Sequence, residues 1–419
     1  MIVVATELPG PLEVVAIAVA ALVVPSTTQA VLVALHETAH AAMARAVGFA
    51  VAEMDLGRGP ARWVRWCGDA LVTVRSLPTH GHVRVLYRGR RWLRTRIAAV
   101  ALAGPLMNVA MAIGLQLAVA ASLAENEFFT LRGIALWSMA LTGWVMAIGG
   151  IVPALAGARG GVSTDVAFAL HIGRATAAEL AIGLAANVGM QVRHRFDRAF
   201  LEGDATAAAA IVESELARPD HDAAWWGDAA LLALARGEAA QALALDERHA
   251  ASVRTALAAQ RAAPGRLPPA QLLELQDGEL ALAVARAFFL AHVGTESALA
   301  EAERLSAAWP SRARSWAPRG ARAAALRTRG LVLLRRGAAA AAVPCLRRAV
   351  ASHEPHWLRA LGLGHLALAL ARLGQGTAAR REAGRARRLH PQSLLLPAVL
   401  REIDDVLAAA AGASAAAIR

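Results

Sequence analysis

The sequence predicts a mainly α-helical protein in two parts, a membrane-embedded part followed by a cytoplasmic array of helix pairs. The chain has 419 residues, 57% of them hydrophobic, and a mean hydropathy of +0.42. This composition is too apolar for an ordinary soluble protein, and the length suffices for two domains. The long apolar runs lie in the first part, whereas an Ala-, Leu- and Arg-rich repeat begins near residue 191. We therefore predict two domains, residues 1–190 and 191–419.

Three apolar runs are predicted to cross the membrane, because a helix of about 20 residues spans the hydrocarbon core. They cover residues 27–50, 97–124 and 131–155. An earlier apolar run, residues 12–24, is short for a span and ends at Pro25. It is read as a short span, a re-entrant piece or a packing partner of the next helix. The membrane core is therefore predicted to have three spans plus this first segment.

The segment 51–96 connects the first two spans and is rich in Arg, which places it on the cytoplasmic side by the positive-inside rule. Its Val-rich stretch 71–87, broken by Gly and Pro, predicts a small β element of short strands and turns. His80 and His82 lie there, two residues apart. We interpret them as exposed turn residues rather than a second metal site.

The formal charge is +12, and every basic residue is Arg. Arg beside membrane spans marks the cytoplasmic face and an anionic leaflet, so we expect a lipid bilayer as partner and no nucleic acid. The two cysteines, Cys67 and Cys345, lie far apart in sequence, and neither a disulfide framework nor a thiolate metal site is predicted.

His36, Glu37 and His40 interrupt the apolar run 27–50. Residues four apart share one face of a helix, so the two imidazoles can converge on one ion. His-Glu-x-x-His is the arrangement in which two imidazoles hold Zn²⁺ and the carboxylate takes a proton from the attacking water. The alternative is a chance match on a buried helix. We favour the metal, because three uncompensated polar groups at membrane depth are costly.

The region from about residue 191 contains a repeat of small and apolar positions. One copy has Gly330, Leu333, Gly337, Ala342, Leu346 and Ala349 followed by Pro355, and the next has Ala367, Leu370, Gly374, Ala379, Ala383 and Ala386 followed by Pro391. These spacings resemble the tetratricopeptide repeat, in which small residues let two antiparallel helices pack closely. A generic helical solenoid is the alternative.

Further motifs follow the zinc motif in a fixed order. They are Gly57, Gly59 and Pro60, then Leu77, Pro78, Gly81 and Val83, then Gly104, Pro105 and Asn108. This order resembles the site-2 protease family of intramembrane zinc metalloproteases over residues 27–170. The resemblance implies one Zn²⁺ per chain, with Glu37 as the catalytic base. Gly104, Pro105 and Asn108 are candidates for supporting the active site.

The resemblance also implies a third zinc ligand, an Asp after the third span, and Asp165 is the nearby acid. The chain departs from the family pattern at Gly150, where an Asn is expected, and at Val166, where a Gly is expected. Asp165 has a second interpretation, because Ser163, Thr164 and Asp165 precede an apolar helical run and suit a helix N-cap. Both roles can coexist.

The leading hypothesis is an intramembrane zinc endopeptidase that cuts a membrane-anchored protein within or near its transmembrane segment. The repeat domain would recruit a protein partner or the substrate on the cytoplasmic side of a bacterial cell membrane. One alternative is a catalytically inactive membrane adaptor of the same fold that acts through its repeats. Another is a membrane metal enzyme or transporter unrelated to proteolysis. Loss of turnover on removing the Glu37 carboxylate separates the enzyme from the adaptor.

Overall fold

The computed structural model describes residues 11–124, 131–155, 164–262, 269–307, 319–352 and 354–418. The chain divides into two compact units. One comprises Met1–Arg58 with Arg65–Met190, and the other comprises Gly59–Val64 with Gln191–Arg419.

The first unit combines long apolar helices with a β-hairpin. Its elements are α1 (Pro11–Ala46), β1 (Ala50–Cys67), β2 (Ala70–Leu86), α2 (Leu93–Ala124), α3 (Leu131–Leu155) and α4 (Asp165–Arg174). Helix α2 packs against α1, α3 and α4, and strand β2 packs against α1. Helix α2 is therefore the element around which the others are arranged.

Helix α1 runs without a break through Pro25. The first apolar run and the motif helix are thus one helix rather than two segments separated at the proline. A proline inside a helix removes one backbone hydrogen bond, and nearby Ser or Thr side chains often compensate. Here the Thr27 hydroxyl donates to the Val23 carbonyl oxygen at 2.8 Å, one turn earlier.

Helices α2 and α3 approach closely through small residues. A Cβ atom added at Gly143 would lie 3.3 Å from the Ala112 Cα atom. Ala112, Ala140 and Ala147 are almost fully buried in the same region. Small residues at a helix interface let the backbones come together, which is the packing typical of membrane helices.

Helices lie at all three positions where the sequence predicts membrane spans, but they differ in whether they are long and apolar enough to cross a membrane. Within the described chain, only Leu93–Leu123 is both long and apolar enough to cross a membrane, with a mean hydropathy of 1.9 over its best stretch. The three-span core therefore stays a prediction.

Large apolar side chains are nevertheless exposed along one face of α3. Leu141, Val145, Ile148 and Val152 recur at spacings of three and four residues, and each is more than half exposed. An exposed apolar face of this extent is unusual for a soluble surface. It is the expected result for a helix whose outer face meets lipid.

The β element consists of one hairpin with long strands, where the sequence predicted short strands and turns. The two strands form a two-stranded sheet, and Gly68 occupies the two-residue turn with a φ of +65°. Such turns need a left-handed backbone, which glycine adopts without strain. The predicted turn position of His80 and His82 is wrong, since both lie within β2, although both side chains are exposed as expected.

Beyond α4 the described elements are all helices. They are α5 (Ala177–Leu201), α6 (Ala205–Leu216), α7 (Ala224–Ala235), α8 (Ala239–Ala262), α9 (Pro269–Val293), α10 (Glu296–Ala307), α11 (Arg319–Arg335), α12 (Ala339–Val350), α13 (His356–Arg372), α14 (Gly376–Leu389) and α15 (Leu396–Ile418). Sequential neighbours pack on each other, as α7 does on α8, α11 on α12 and α13 on α14.

The predicted repeat positions fall at equivalent places in these helix pairs. Gly337 and Gly374 of the predicted repeat each end the turn between two helices, as Gly203 and Gly237 do earlier in the chain, with a φ of +73° to +82°. The repeat alanines Ala342, Ala349, Ala367, Ala379 and Ala386 are fully buried. Small residues thus lie where paired helices meet. The tetratricopeptide-like assignment itself stays a prediction.

Two buried histidines make the second unit sensitive to acid. The His365 side chain is 0% exposed, and neither of its ring nitrogens has a hydrogen-bond partner among the described residues. Burial, with the neighbouring His292, Arg335 and Arg327, holds the pKa of His365 well below its usual value. Burial also lowers the pKa of His292 to about 3. Both imidazoles are therefore neutral in the folded unit.

A lowered folded-state pKa means that the unfolded chain binds the proton more tightly. Stability is then full above the unfolded pKa of about 6.5 and falls as the pH drops below it. We expect His365→Leu to reduce this loss by up to about 1.4 kcal/mol per pH unit. The readout is the difference in melting temperature between variant and wild type at pH 7.5 and at pH 5.

Variant and wild type are compared at the same pH because other buried groups change the stability with pH in the opposite direction. Burial raises the pKa of both Asp228 and Asp246 to about 6, which favours the folded state at lower pH. A wild-type pH dependence in His365→Leu would contradict the assignment.

Candidate metal centre

Helix α1 brings His36 and His40 together. The two Nε2 atoms lie 3.1 Å apart, and the rings meet edge to face with centroids 4.7 Å apart. The local cause is helical geometry, since residues four apart are neighbours on one face. Two imidazole nitrogens are thus directed at one point, as the sequence spacing predicts.

Asp165 reaches the same point from the start of α4. Its Oδ2 lies 3.0 Å from His36 Nε2 and 3.3 Å from His40 Nε2. Burial alone would raise the pKa of this carboxyl, but the two adjoining histidines outweigh burial and lower it. The carboxylate is therefore ionised. The structure brings together the three residues that the sequence nominated as ligands.

The N-cap role considered for Asp165 belongs to Thr164. The Ala167 N–H donates to the Thr164 hydroxyl oxygen at 3.2 Å, which caps α4. Because Thr164 satisfies the helix end, the Asp165 carboxylate is available to the histidines. Ser163 lies outside the described residues. Val166 follows in α4, and Gly150 lies in α3.

Further contacts test whether these residues fit a metal ion. The Nδ1–H of His40 donates to the Val100 carbonyl oxygen at 2.6 Å, which leaves Nε2 with a free lone pair. His36 Nδ1 is buried with no hydrogen-bond partner among the described residues. Two imidazoles and a carboxylate are a donor set that binds Zn²⁺ in catalytic sites. The three ligand atoms lie within 4.8 Å of one another.

Gly104 of α2 keeps open the space in front of the two histidines. A Cβ atom at this position would lie 2.3 Å from His40 Nε2 and 2.5 Å from His36 Nε2. Any side chain here would occupy the volume toward which both ligand nitrogens point. The residues therefore fit a zinc ion.

Glu37 lies beside the histidines and is 6% exposed. Gly81 of β2 passes so close that a Cβ atom there would lie 2.4 Å from Glu37 Cγ and 2.6 Å from Oε1. The absence of a side chain at Gly81 therefore leaves the space that the Glu37 carboxylate occupies. Packing of the hairpin on α1 positions Glu37, a contact that the spacing within α1 does not reveal.

A cavity of about 450 Å³ opens onto this cluster. Its lining residues are His36, Glu37, His40, Gly81, His82, Val83, Val85, Tyr87, Ile97, Val100, Ala101, Pro105, Asn108, Thr164, Asp165 and Phe168. The supporting candidates Pro105 and Asn108 are both buried at its wall. Asn108 Oδ1 has no hydrogen-bond partner among the described residues, so it is free to accept one from a bound molecule.

Sequence reasoning did not nominate His82, Tyr87 or Phe168 for this cavity. His82 also lies near Glu53 and Asp55, so that three potential ligand atoms come within 4.8 Å. Both acids are already engaged, Asp55 by the buried Arg75 at 2.6 Å and Glu53 by Arg84 at 3.2 Å. This second cluster is therefore explained by cross-strand ion pairs.

Comparison with known proteins agrees with this geometry. A model of Peptidase family M50 matches residues 27–343, which is more than half of the chain and extends past residue 170 into the second unit. No curated protein and no solved structure matches the chain. Peptidases of this family are zinc-dependent membrane metallopeptidases of the site-2 protease type. The chain belongs to Peptidase family M50.

Proposed function

We propose that this chain is an intramembrane zinc endopeptidase that hydrolyses a peptide bond within or near the transmembrane segment of a membrane-anchored protein. The observation that carries the proposal is the convergence of His36, His40 and Asp165 within 3.3 Å at a cavity that Glu37 also lines. Family membership supports the reaction class. The exposed apolar face of α3 supports a location in the bilayer.

His36, His40 and Asp165 would hold one Zn²⁺, which supplies a Lewis acid that polarises the scissile carbonyl and acidifies water. The Glu37 carboxylate accepts the proton of the attacking water and then donates it to the leaving amine. The hydrogen bond from His40 to the Val100 carbonyl holds the imidazole in the required orientation. Asn108 would accept a hydrogen bond from the substrate backbone.

The substrate must unwind before it can react, because a helical peptide bond is already hydrogen-bonded and shielded. Strand β2 offers a surface for the unwound segment. Within the described residues it pairs with β1 alone, and its residues Gly81, Val83 and Val85 line the cavity. A peptide added along β2 would run past Glu37.

The second unit is proposed to recruit the substrate or a protein partner on the cytoplasmic side. Helix pairs with buried small residues and glycine turns support an α-helical repeat of the tetratricopeptide type. The Arg-rich connection between the first two spans supports the cytoplasmic placement by the positive-inside rule.

The test is to measure zinc content and cleavage of a model single-span substrate with the full-length protein. We expect about one zinc per wild-type chain, as the three-ligand site requires. Asp165→Ala should lose both zinc and cleavage, because two imidazoles leave the site a ligand short. The control Asp405→Ala removes an exposed carboxylate of the second unit and should change neither. A variant that keeps zinc and activity without Asp165 would rule out this residue as a ligand.

A further inference from the structure

A second cavity, of about 560 Å³, lies among the helices of the second unit. Residues of α5, α7, α8, α9, α11 and α13 line it, including Leu231, Phe288, Phe289, Trp357 and Leu358. The size is that of a ligand pocket, and such pockets combine apolar walls with a few polar groups that fix orientation. Its polar groups therefore decide which ligand it accepts.

The cations of this cavity already have anionic partners. Arg193 forms a two-pronged ion pair with Asp228, including a 3.0 Å contact from Nη2 to Oδ1. Arg327 Nε donates to Glu354 Oε1 at 3.0 Å, and both side chains are buried. An anionic ligand would have to displace one of these pairs, which would leave a buried carboxylate unpaired.

The unpaired groups of the cavity include a buried carboxylate. Asp246 is 1% exposed, and its Oδ2 has no hydrogen-bond partner among the described residues. Thr328 is 2% exposed, and its hydroxyl also lacks a partner among them. Buried polar groups are nearly always hydrogen-bonded, so these two groups are available to hydrogen-bond a bound molecule.

The chemistry of these groups favours a hydrogen-bond donor with positive charge. Burial raises the pKa of Asp246 to about 6, so the carboxylate is charged at neutral pH. The neighbouring Arg286 is bound to Glu301 and Glu247 at 2.8 and 3.0 Å. His249 donates its Nδ1–H to the Ala223 carbonyl, which leaves its other ring nitrogen as an acceptor in the neutral imidazole.

We propose that this cavity is a docking site for a protein segment that carries an Arg or Lys beside large apolar residues, with the cation bound by Asp246 and Thr328. The apolar neighbours pack against Phe288, Phe289 and Trp357. The occupant is a protein segment because the second unit is proposed to recruit a protein partner, and the inference rests on that part of the proposed function. The site belongs to the second unit alone, so it stands or falls independently of the proposed peptidase activity.

The test measures binding of a dye-labelled, blocked Trp-Arg-Leu-Leu peptide to the full-length protein by fluorescence anisotropy. A second peptide replaces Arg by citrulline, which keeps the shape and removes the charge. We expect the Arg peptide to bind at least about tenfold more tightly, the effect of one charged hydrogen bond. Asp246→Asn should bind both peptides equally, because the variant keeps the shape of the side chain and lacks its charge.

Matched variants separate this site from general electrostatics. Asp405→Asn removes an exposed charge of the same unit and should keep the wild-type preference for Arg. Thr328→Val keeps the side-chain volume and should weaken binding of the Arg peptide. Melting temperatures show whether each variant is folded. If Asp246→Asn does not fold, Thr328→Val tests the site in its place.

Three results would overturn the proposal. One is a preference for the Arg peptide retained by Asp246→Asn or, if that variant does not fold, wild-type affinity for the Arg peptide in Thr328→Val. Another is no binding of the Arg peptide up to about 1 mM, the weak limit of specific recognition. The third is that 2-phenylethylammonium binds as tightly as the peptide, which would identify a small amphiphilic amine as the occupant.

Discussion

Glu37→Gln is expected to lower the rate of substrate cleavage by about 10²- to 10⁴-fold, the usual contribution of a general acid–base residue. Gln has the shape of Glu but cannot take up the proton of the attacking water. The Gln side chain has the size of Glu and still fits beside Gly81, which approaches this side chain closely. Zinc content should stay at the wild-type value, since His36, His40 and Asp165 are unchanged.

Cleavage is measured with a single-span substrate in detergent or vesicles, and zinc is measured in the same samples. Glu213→Gln provides the control, because Glu213 is an exposed residue of the second unit and its amide should leave cleavage unchanged. Wild-type turnover in Glu37→Gln would show that Glu37 is not the general base. If the wild-type protein binds zinc but does not cleave, and Glu37→Gln alters nothing, the adaptor function is favoured.

The local part of this site could be predicted from the sequence because it depends on one helix. His40 lies four positions after His36, and helical geometry brings the two side chains to one face, where their Nε2 atoms lie 3.1 Å apart. The apolar residues around them indicate a buried setting, where polar side chains need a function. The prediction needed no knowledge of any other element.

Other parts of the site depend on how separate elements pack. Asp165 could be nominated by family resemblance, but its contact with His36 requires the start of α4 to lie beside α1. The sequence could not show that Thr164 caps α4 while Asp165 contacts the histidines, because either residue suits an N-cap. The continuous α1 was missed for a related reason, since a proline ends most helices in water but is tolerated in apolar surroundings.

The second-unit cavity had no signal in the sequence. Asp246 is one of many acids in an Arg-rich helical region, and its spacing to Thr328 or Phe288 follows no motif. Only the packing of α8 against α9 and its neighbours leaves this carboxylate buried beside aromatic rings. Repeats of small residues predict that helices pair, but they do not predict which polar groups remain without partners.

Gly104→Ala is expected to lower the zinc affinity of the full-length protein by about 10- to 100-fold, the range for residues that position metal ligands. The new Cβ atom would lie 2.3 Å from His40 Nε2 and 2.5 Å from His36 Nε2. At such distances the imidazoles must move apart. His40 cannot move without breaking its hydrogen bond to the Val100 carbonyl. Cleavage should fall together with the metal.

The same helix offers a matched control. Gly114 also lies in α2, and a Cβ atom there meets nothing within 4 Å. Replacing Gly by Ala inside a helix stabilises it by about 0.5 to 1 kcal/mol, so both variants share the backbone effect and differ only in the contact with the histidines. Competition for zinc with a chelator should show wild-type affinity in Gly114→Ala. Equal affinity in the two variants would mean that Gly104 does not hold space for the metal, whereas loss in Gly104→Ala alone assigns that space to the zinc site.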